Sequence, residues 1–338
     1  MANPDVRKGM PSVELSRAEF ERRYRSRFVD PAFEPLACEL DAIVAAAWDG
    51  YSNSRKAPRT RKAGPGFADP DYALSVDWLA AREAILEAQR RHDDAGETPR
   101  ILLINGSSRS EHSCPGEMSK SWRLVKVAQP VFQEMGLAVD LLDLSRLTSE
   151  FGRKIHPCKS CVSTAMPLCH WPCSCYPNHA LGQTGDWMNE IYPLWVAAHG
   201  IMIVTPVNWY HAPTGLKAMI DRLVCADGGN PDPTSTHGKK AAEAKALELK
   251  GWPYPKHLEG RISRSWSMAT PSAPRRCAAR CRTGSPTCRW CRPAAPLRWM
   301  ATSAIWSHMR SRIRRSIRMG IFRRRRAMRR GRLVMPSN

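Results

Sequence analysis

Short apolar segments alternate with helical segments over residues 100–225, and this alternation restricts the fold more than any other feature of the chain. Three segments have the continuous apolar character of buried parallel strands: "RILLINGSS", "LAVDLLDLSRL" and "GIMIVTPVNWY". Residues 119–135, residues 186–199 and "PTGLKAMIDRLVC" carry apolar side chains at helical spacing. Strands that alternate with helices predict a doubly wound α/β sheet.

The turn after the first strand is rich in groups that bind phosphate. In "LLINGSSRS" the hydroxyls of Ser107 and Ser108 and several backbone N–H groups follow the strand directly, and a helix begins further on. Backbone N–H groups and a helix N-terminus attract anions. The segment is neither a G-x-x-x-x-G-K-[ST] loop nor a G-x-G-x-x-G turn. A phosphate site and an ordinary turn both fit this segment when it is taken alone.

A second polar loop, "TPVNWYHAPTG", follows the third strand. In open α/β sheets, ligands bind outside the carboxyl ends of the strands, where the strand order reverses. The Pro-Val-Asn-Trp-Tyr segment offers rigid backbone N–H groups and flat side chains at that place. These groups suit the edge and the face of a planar heterocycle.

Together these two loops resemble those of the flavodoxin-like NAD(P)H-dependent FMN reductase family. The family pattern is a strand followed by G-S-x-R, with a downstream Ser or Thr, then P-V-x-W/Y and L-K-x-x-I-D-R. The resemblance covers about residues 100–260. The matching positions are Gly106, Ser107, Arg109, Pro206, Val207, Trp209, Leu216, Lys217, Ile220, Asp221 and Arg222.

The resemblance implies a flavodoxin-like parallel sheet of order 2-1-3-4-5 and a bound FMN. NAD(P)H would deliver hydride through FMN to a flavin, a quinone or another small acceptor, with no catalytic acid or base from the protein. It also implies a homodimer, and structural roles for Asp221 and Arg222. The FMN phosphate would bind Gly106, Ser107, Ser108 and Arg109, assisted by Ser119 or Ser121, and the flavin ring would contact Pro206, Val207, Asn208, Trp209 and Tyr210. The insert "SEHSCPGEM" leaves open which downstream serine assists.

A cysteine-rich loop follows the second strand. "CKSCVSTAMPLCHWPCSC" contains the spacing C-x2-C-x7-C-x3-C-x-C, so an iron–sulfur cluster or zinc could bind Cys158, Cys161, Cys169 and Cys173. Iron–sulfur flavoproteins of the flavodoxin type carry a more compact cysteine motif at a similar place. An iron–sulfur electron carrier is therefore one alternative function. Ordinary thiols in a substrate or dimer loop are the other interpretation.

The first 98 residues predict a helical extension. Ser16 and Glu19 have the spacing of a capping box, and Phe20, Tyr24 and Phe28 share a helix face. The polar turn "HDDAGETP" marks the boundary to the next domain. The expected domains are residues 1–98, 99–260 and 261–338. Without an apolar signal-peptide core or a membrane-length apolar run, the sequence favours a cytoplasmic protein.

The net charge of +21 comes entirely from the last 78 residues. Residues 261–338 contain 21 Arg and no Asp, Glu or Lys. Removing those 21 from the 52 basic residues leaves 31, which balance the 31 acidic residues of the first 260. The segment, which includes "RRRRAMRRGR", makes an Arg-rich nucleic-acid-binding protein a third functional hypothesis. Nonspecific, salt-dependent binding is expected of any such tail, so binding alone would not establish that function.

The composition of this tail favours a shift of the reading frame near residue 262. It combines Arg with Trp, Cys and Pro, unlike natural basic arms, and it shows little apolar periodicity. If the codons of "ISRSWSMAT" are read one base earlier, suitable codon choices give "FSVVVHGD", an apolar strand with a Gly-Asp loop. The hypothesis predicts a disordered tail and the loss of strands four and five. The third strand would then be an exposed edge, and the chain would fold poorly and bind FMN weakly.

Overall fold

A computed structural model describes residues 14–110, 112–114, 116–259 and 261–268. The chain divides into two compact units. Of the described residues, those within 1–87, 152–193 and 218–257 form the first unit, and those within 88–151, 194–217 and 258–268 form the second. Each unit therefore consists of segments that are distant in the sequence.

The first unit begins with the predicted helical extension. Helix α1 spans Arg17–Arg25, a 3₁₀ turn spans Pro31–Leu36, and helix α2 spans Ala37–Ser52. The Ser16 side chain accepts a hydrogen bond from Glu19 N at 3.3 Å, which confirms the predicted cap. Phe20 packs its ring 4.9 Å from that of Tyr51, so the aromatic face of α1 lies against α2.

A hairpin that the sequence did not predict follows α2. Strands β1, Thr60–Lys62, and β2, Ala73–Ser75, pair antiparallel. Helix α3, Val76–Asp93, follows directly. Its Trp78 and Leu79 pack with Leu74 of β2 in a small buried cluster. Further along the chain, helix α8, Ala241–Lys250, buries Ala244 against Ala165 and Leu168.

The second unit contains a parallel sheet of four strands. The strands are β3, Arg100–Asn105; β4, Ala138–Asp143; β5, Gly200–Pro206; and β6, Ile262–Met268. Their order in the sheet is β4-β3-β5-β6, with every neighbouring pair parallel. In chain order this is 2-1-3-4, which agrees with the flavodoxin-like doubly wound fold predicted from the sequence.

Helices connect the strands. They are α4, Lys120–Glu134; α5, Arg146–Ser149; α6, Met188–Ala197; and α7, Thr214–Arg222. Helix α4 buries Trp122, Val125 and Phe132 against Leu103 and Met202 of the sheet. Each large apolar side chain buried in this way stabilises the unit by about 1.5–3 kcal/mol. The strands β3 and β5 are thereby fixed, and so are the loops that leave their carboxyl ends.

Strand β6 corrects one expectation from the sequence. The backbone of "ISRSWSM" pairs with all of β5, from Gly200 opposite Ile262 to Pro206 opposite Met268. The predicted exposed edge at β5 is therefore wrong. Parallel pairing uses backbone groups, so it does not require the apolar side chains that identified β3 and β5.

No fifth parallel strand occurs among residues 14–268 as far as the structure describes them. The predicted disordered Arg-rich tail, residues 269–338, lies outside the described residues. The frame shift and the division at residues 98 and 260 stay predictions.

Candidate functional site

The two polar loops predicted from the sequence meet at one edge of the sheet. Strands β3 and β5 are parallel neighbours, with Asn105 opposite Val204. Directly beyond β3, Gly106 donates a backbone hydrogen bond to Val204 O at 2.8 Å. The turn at residues 106–109 and the loop at residues 206–210 therefore leave the sheet side by side, at the carboxyl ends of the strands.

Gly106 allows this close approach. A Cβ atom at position 106 would lie 2.8 Å from Leu216 Cδ2 and 2.9 Å from Thr205 Cβ. These distances are shorter than carbon atoms tolerate without a shift of their neighbours. Any other residue would push the turn away from β5 and from helix α7.

Serine hydroxyls gather in the turn after Gly106. The Ser107 hydroxyl accepts a hydrogen bond from Arg109 N at 3.0 Å, and the Ser119 Oγ lies 3.5 Å from the Ser107 Oγ. Both serines are 4% exposed. Ser119 is the N-cap residue of α4, but its side chain does not cap the helix. The hydroxyls and the N-terminus of α4 thus lie together, as a phosphate site requires.

The other predicted phosphate ligands lie in the same two segments, the turn after β3 and the first turn of α4. Ser121 lies in the first turn of α4 and is 3% exposed. Arg109 is exposed, and its guanidinium lies 3.4 Å from Glu117 O. The carbonyl of Ser108 accepts a hydrogen bond from Thr148 Oγ1 at 3.0 Å, which ties the turn to the end of α5.

Sequence reasoning missed Asp143, a polar residue at the end of β4 that binds the residue before the turn. Asn105 ends β3 opposite Asp143, the last residue of β4, and donates to its carboxylate at 2.7 Å. The Asn105 side chain also accepts from Ser107 N at 3.3 Å. The sequence did offer a signal for this pair, because Asn105 and Asp143 are the polar residues that end two apolar segments.

The loop after β5 presents two aromatic rings. Asn208 and His211 exchange backbone hydrogen bonds of 2.9 and 2.8 Å, so residues 208–211 form a tight turn. Its two central residues, Trp209 and Tyr210, have φ of 47° and 68°. Glycine or asparagine is the usual residue in this conformation. Trp209 is 91% exposed and Tyr210 60% exposed, so the strained backbone holds both rings in solvent.

Arg222 has the structural role that was predicted, with a partner distant in the sequence. Its guanidinium contacts the Asp186 carboxylate at 2.5 and 3.2 Å and donates to His156 O at 2.8 Å. The side chains of Arg222 and Asp186 are 1% and 0% exposed. Burial disfavours the charged guanidinium, but Tyr192, Cys173 and Asp186 outweigh this effect and raise the pKa of Arg222.

The cysteine-rich loop does not support a metal centre. Among the residues that the structure describes, no group of three or more His, Cys, Asp or Glu residues is placed to hold a metal ion. The predicted ligand Cys158 accepts a hydrogen bond from Ser160 N, and the Cys161 thiol donates to Leu168 O at 3.5 Å. The predicted ligands Cys169 and Cys173 are buried and half-buried free thiols, and Cys175, which the predicted set did not include, accepts a hydrogen bond from Lys239 Nζ at 3.1 Å.

The donors at the sheet edge fit a phosphorylated, planar ligand. The turn at residues 106–109 and the start of α4 supply backbone N–H groups, hydroxyls and a guanidinium, all of which bind phosphate oxygens. The loop at residues 206–210 supplies exposed aromatic faces beside them. FMN combines a phosphate with a flat ring system, and these residues match both parts.

A comparison with protein families agrees with this geometry. Residues 99–247 match the model of the NADPH-dependent FMN reductase family. Searches of curated proteins and of solved structures found no match to the chain. Within the described part of the chain, every helix is too short or too polar to span a membrane.

Proposed function

We propose that this protein binds FMN at the carboxyl edge of its sheet and oxidises NAD(P)H, as the match of residues 99–247 to the NADPH-dependent FMN reductase family supports. The observation that supports this most directly is the junction of two loops through Gly106 and Val204. The junction brings phosphate-binding groups and exposed aromatic rings to one place, as a flavin nucleotide requires.

The proposal gives the residues of each loop a different task. Gly106, Ser107, Ser108 and Arg109 hold the phosphate with backbone N–H groups, hydroxyls and charge, and Ser119 and Ser121 complete the site from the start of α4. Pro206, Val207, Asn208, Trp209 and Tyr210 contact the ring system and shield one face from water. Bound FMN supplies the capacity to accept hydride and to pass electrons on, so the protein needs only to bind and orient.

The acceptor, the quaternary structure and the location are parts of the same proposal. We propose a flavin or a quinone as acceptor, because the exposed rings of Trp209 and Tyr210 suit a second planar molecule. We also propose a homodimer, as the resemblance to this family implies, and a cytoplasmic location. Size-exclusion chromatography with light scattering tests the dimer.

The phosphate site is tested by titrating the purified full chain with FMN and following the quenching of flavin fluorescence. Ser107→Ala removes one hydroxyl that lies next to the Ser119 hydroxyl. We expect the Kd for FMN to rise about tenfold, the effect of losing one charge-assisted hydrogen bond. Ser52→Ala is the matched control, because Ser52 is exposed and bonds only within α2. An unchanged Kd in Ser107→Ala would contradict the assignment.

The ring contact is tested by Trp209→Gly. Glycine adopts a φ of 47° without strain, so the turn remains formed while the ring is removed. We expect an unchanged or slightly higher melting temperature and about five- to tenfold weaker FMN binding. NADPH oxidation by the FMN-loaded chain with a quinone acceptor measures the activity. Failure of the wild-type chain to bind FMN would refute the proposed function.

A further inference from the structure

A cysteine and a lysine that lie 64 positions apart in the sequence meet in the first unit, and the proposed flavin chemistry uses neither of them. Lys239 Nζ donates a hydrogen bond to Cys175 Sγ at 3.1 Å. Cys175 is a free cysteine and is 6% exposed, whereas the Lys239 residue is exposed. The sulfur atom therefore lies just below the surface, and the lysine side chain leads from solvent to it.

Positive charge around Cys175 favours the thiolate form of its side chain. A neighbouring ammonium stabilises the negative charge that remains when a thiol loses its proton. Lys239 supplies one such ammonium, and Lys56 Nζ donates to the carbonyl of Ser174, the residue before Cys175. Burial disfavours the charge of Lys239, but the negative charge of Cys175 is the largest effect that opposes it, and the pKa of Lys239 is raised. The two side chains therefore form a pair of thiolate and ammonium.

Hydrogen bonds fix the residues on both sides of Cys175. The Ser174 hydroxyl lies 2.6 Å from Nδ1 of His170, a buried residue. On the other side, the hydroxyl of the buried Tyr176 donates to Pro157 O at 2.9 Å. The sulfur atom between these two anchored residues consequently has little freedom to move.

The backbone next to Lys239 is also held, but the lysine side chain itself can extend. Gly238 N donates to Pro233 O at 2.8 Å, and Gly238 O accepts from Thr236 Oγ1 at 2.8 Å. The flexible four-carbon stem of the lysine allows its nitrogen to close the gap of 3.1 Å to the sulfur. The two atoms are thus neighbours before any reaction, and only the flexible one needs to move.

We propose that Cys175 and Lys239 are a modification site at which hydrogen peroxide joins the two side chains through a covalent S–N bond, a sulfenamide. Exposed thiolates are the cysteines that peroxide oxidises to sulfenic acid, and a sulfenic acid condenses with a nearby nitrogen. Hydrogen peroxide is small enough to reach a sulfur atom that is 6% exposed. The reaction does not involve FMN, so it stands or falls independently of the proposed function.

The reaction has two steps, and the pair supplies every proton that they need. The Cys175 thiolate attacks one peroxide oxygen, so the S–O bond forms and the O–O bond breaks. The departing hydroxide takes a proton from the Lys239 ammonium and leaves as water. The neutral Lys239 amine then attacks Cys175 Sγ, which forms the S–N bond, and the hydroxide released from sulfur takes a proton from that nitrogen as the second water. The sulfur loses two electrons and the peroxide gains them.

The test uses the purified full chain, reduced, freed of reductant, treated with hydrogen peroxide and digested without reductant. We expect mass spectrometry to find a peptide pair joined between Cys175 and Lys239, with the summed mass of the two peptides less two hydrogen atoms. Dithiothreitol should release both peptides, because thiols reduce the S–N bond. Absence of this linked pair after peroxide treatment would overturn the proposal, and so would a disulfide of Cys175 with another cysteine as the main product.

Two lysine variants test the role of the nitrogen. Lys239→Arg keeps a positive charge beside Cys175, but a guanidinium does not give up its proton, so no S–N bond should form. We expect this variant to stop at the sulfenic acid of Cys175, which dimedone traps, whereas the wild type should give at least about tenfold less of the dimedone adduct. Lys240→Arg is the matched control, because the neighbouring Lys240 pairs with Glu243 at 3.3 Å. It should form the Cys175–Lys239 link as the wild type does. Equal dimedone labelling of Cys175 in the wild type and in Lys239→Arg would show that Lys239 does not consume the sulfenic acid, and would overturn the proposal.

Discussion

At the scale of single residues, close packing at Gly106 and a buried ion pair at Arg222 leave no space for change. Gly106 has no space for a Cβ atom, and Arg222 and Asp186 neutralise each other out of contact with solvent. In such places one atom or one charge cannot be removed or added without a rearrangement. The aromatic turn at Trp209 differs, because there the strain lies in an exposed backbone.

Gly106→Ala should lower the free energy of unfolding by about 1–3 kcal/mol, because the new methyl group overlaps Leu216 and Thr205. Urea denaturation measures the change. Gly50→Ala is the control, since a Cβ atom at Gly50 in helix α2 meets nothing within 4 Å. It should stabilise the chain by up to about 1 kcal/mol. An equal response of the two variants would show that the crowding at Gly106 is relieved at little cost.

Asp186→Asn should lower the free energy of unfolding by about 3–5 kcal/mol, because it leaves the Arg222 charge buried without its counter-charge. Asp71→Asn is the control. It makes the same substitution in an exposed ion pair, that of Asp71 with Lys62. It should change stability by less than about 1 kcal/mol. The same denaturation measurement compares the two, and a small effect of Asp186→Asn would argue against a charged pair.

At the scale of elements, the apolar strands were predictable and the polar ones were not. Strands β3, β4 and β5 are continuous apolar runs, because both faces of a doubly wound sheet are covered. Strands β1 and β2 have only three residues each, "TRK" and "ALS", which is too short for apolar alternation to give a signal. Strand β6 has the sequence "ISRSWSM", and its place in the sheet depends on backbone pairing with β5.

The role of β6 is tested by two truncations. A chain that ends at Glu259 lacks β6 and leaves the edge of β5 unpaired, so we expect it to aggregate. A chain that ends at Met268 keeps the pairing, so it should remain soluble. Its Kd for FMN should lie within about threefold of that of the full chain, a difference below about 1 kcal/mol in binding free energy. Sedimentation and FMN titration measure both. Equal solubility of the two chains would show that β5 does not need this neighbour.

At the scale of the whole molecule, charge and fold belong to different parts of the sequence. The parallel sheet and the site occupy residues up to 268, where the net charge is close to zero. Almost all the excess charge lies in the Arg-rich segment that follows. The frame-shift hypothesis and the nucleic-acid hypothesis both concern that segment, and translation of its nucleotide sequence in all three frames tests the first.

The nucleic-acid hypothesis is tested by the salt dependence of DNA binding. We expect the full chain to bind duplex DNA of any sequence at low salt, with an affinity that falls steeply as salt rises, because arginines displace the counterions of DNA. The chain that ends at Met268 should not bind. Fluorescence anisotropy with two unrelated duplexes measures both. Sequence-selective binding by the full chain would contradict a merely nonspecific tail.

The sequence by itself determined the α/β class, the positions of three buried strands and the two loops that suit a flavin nucleotide. These features depend on local periodicity and on the chemistry of adjacent residues, which a sequence displays directly. Only the tertiary structure decided which distant groups meet. Folding of the segments between them brings Asp186 to Arg222 and Asn105 to Asp143. The same holds for the pairing of β6 with β5, because backbone hydrogen bonds between strands leave no mark in the side-chain pattern.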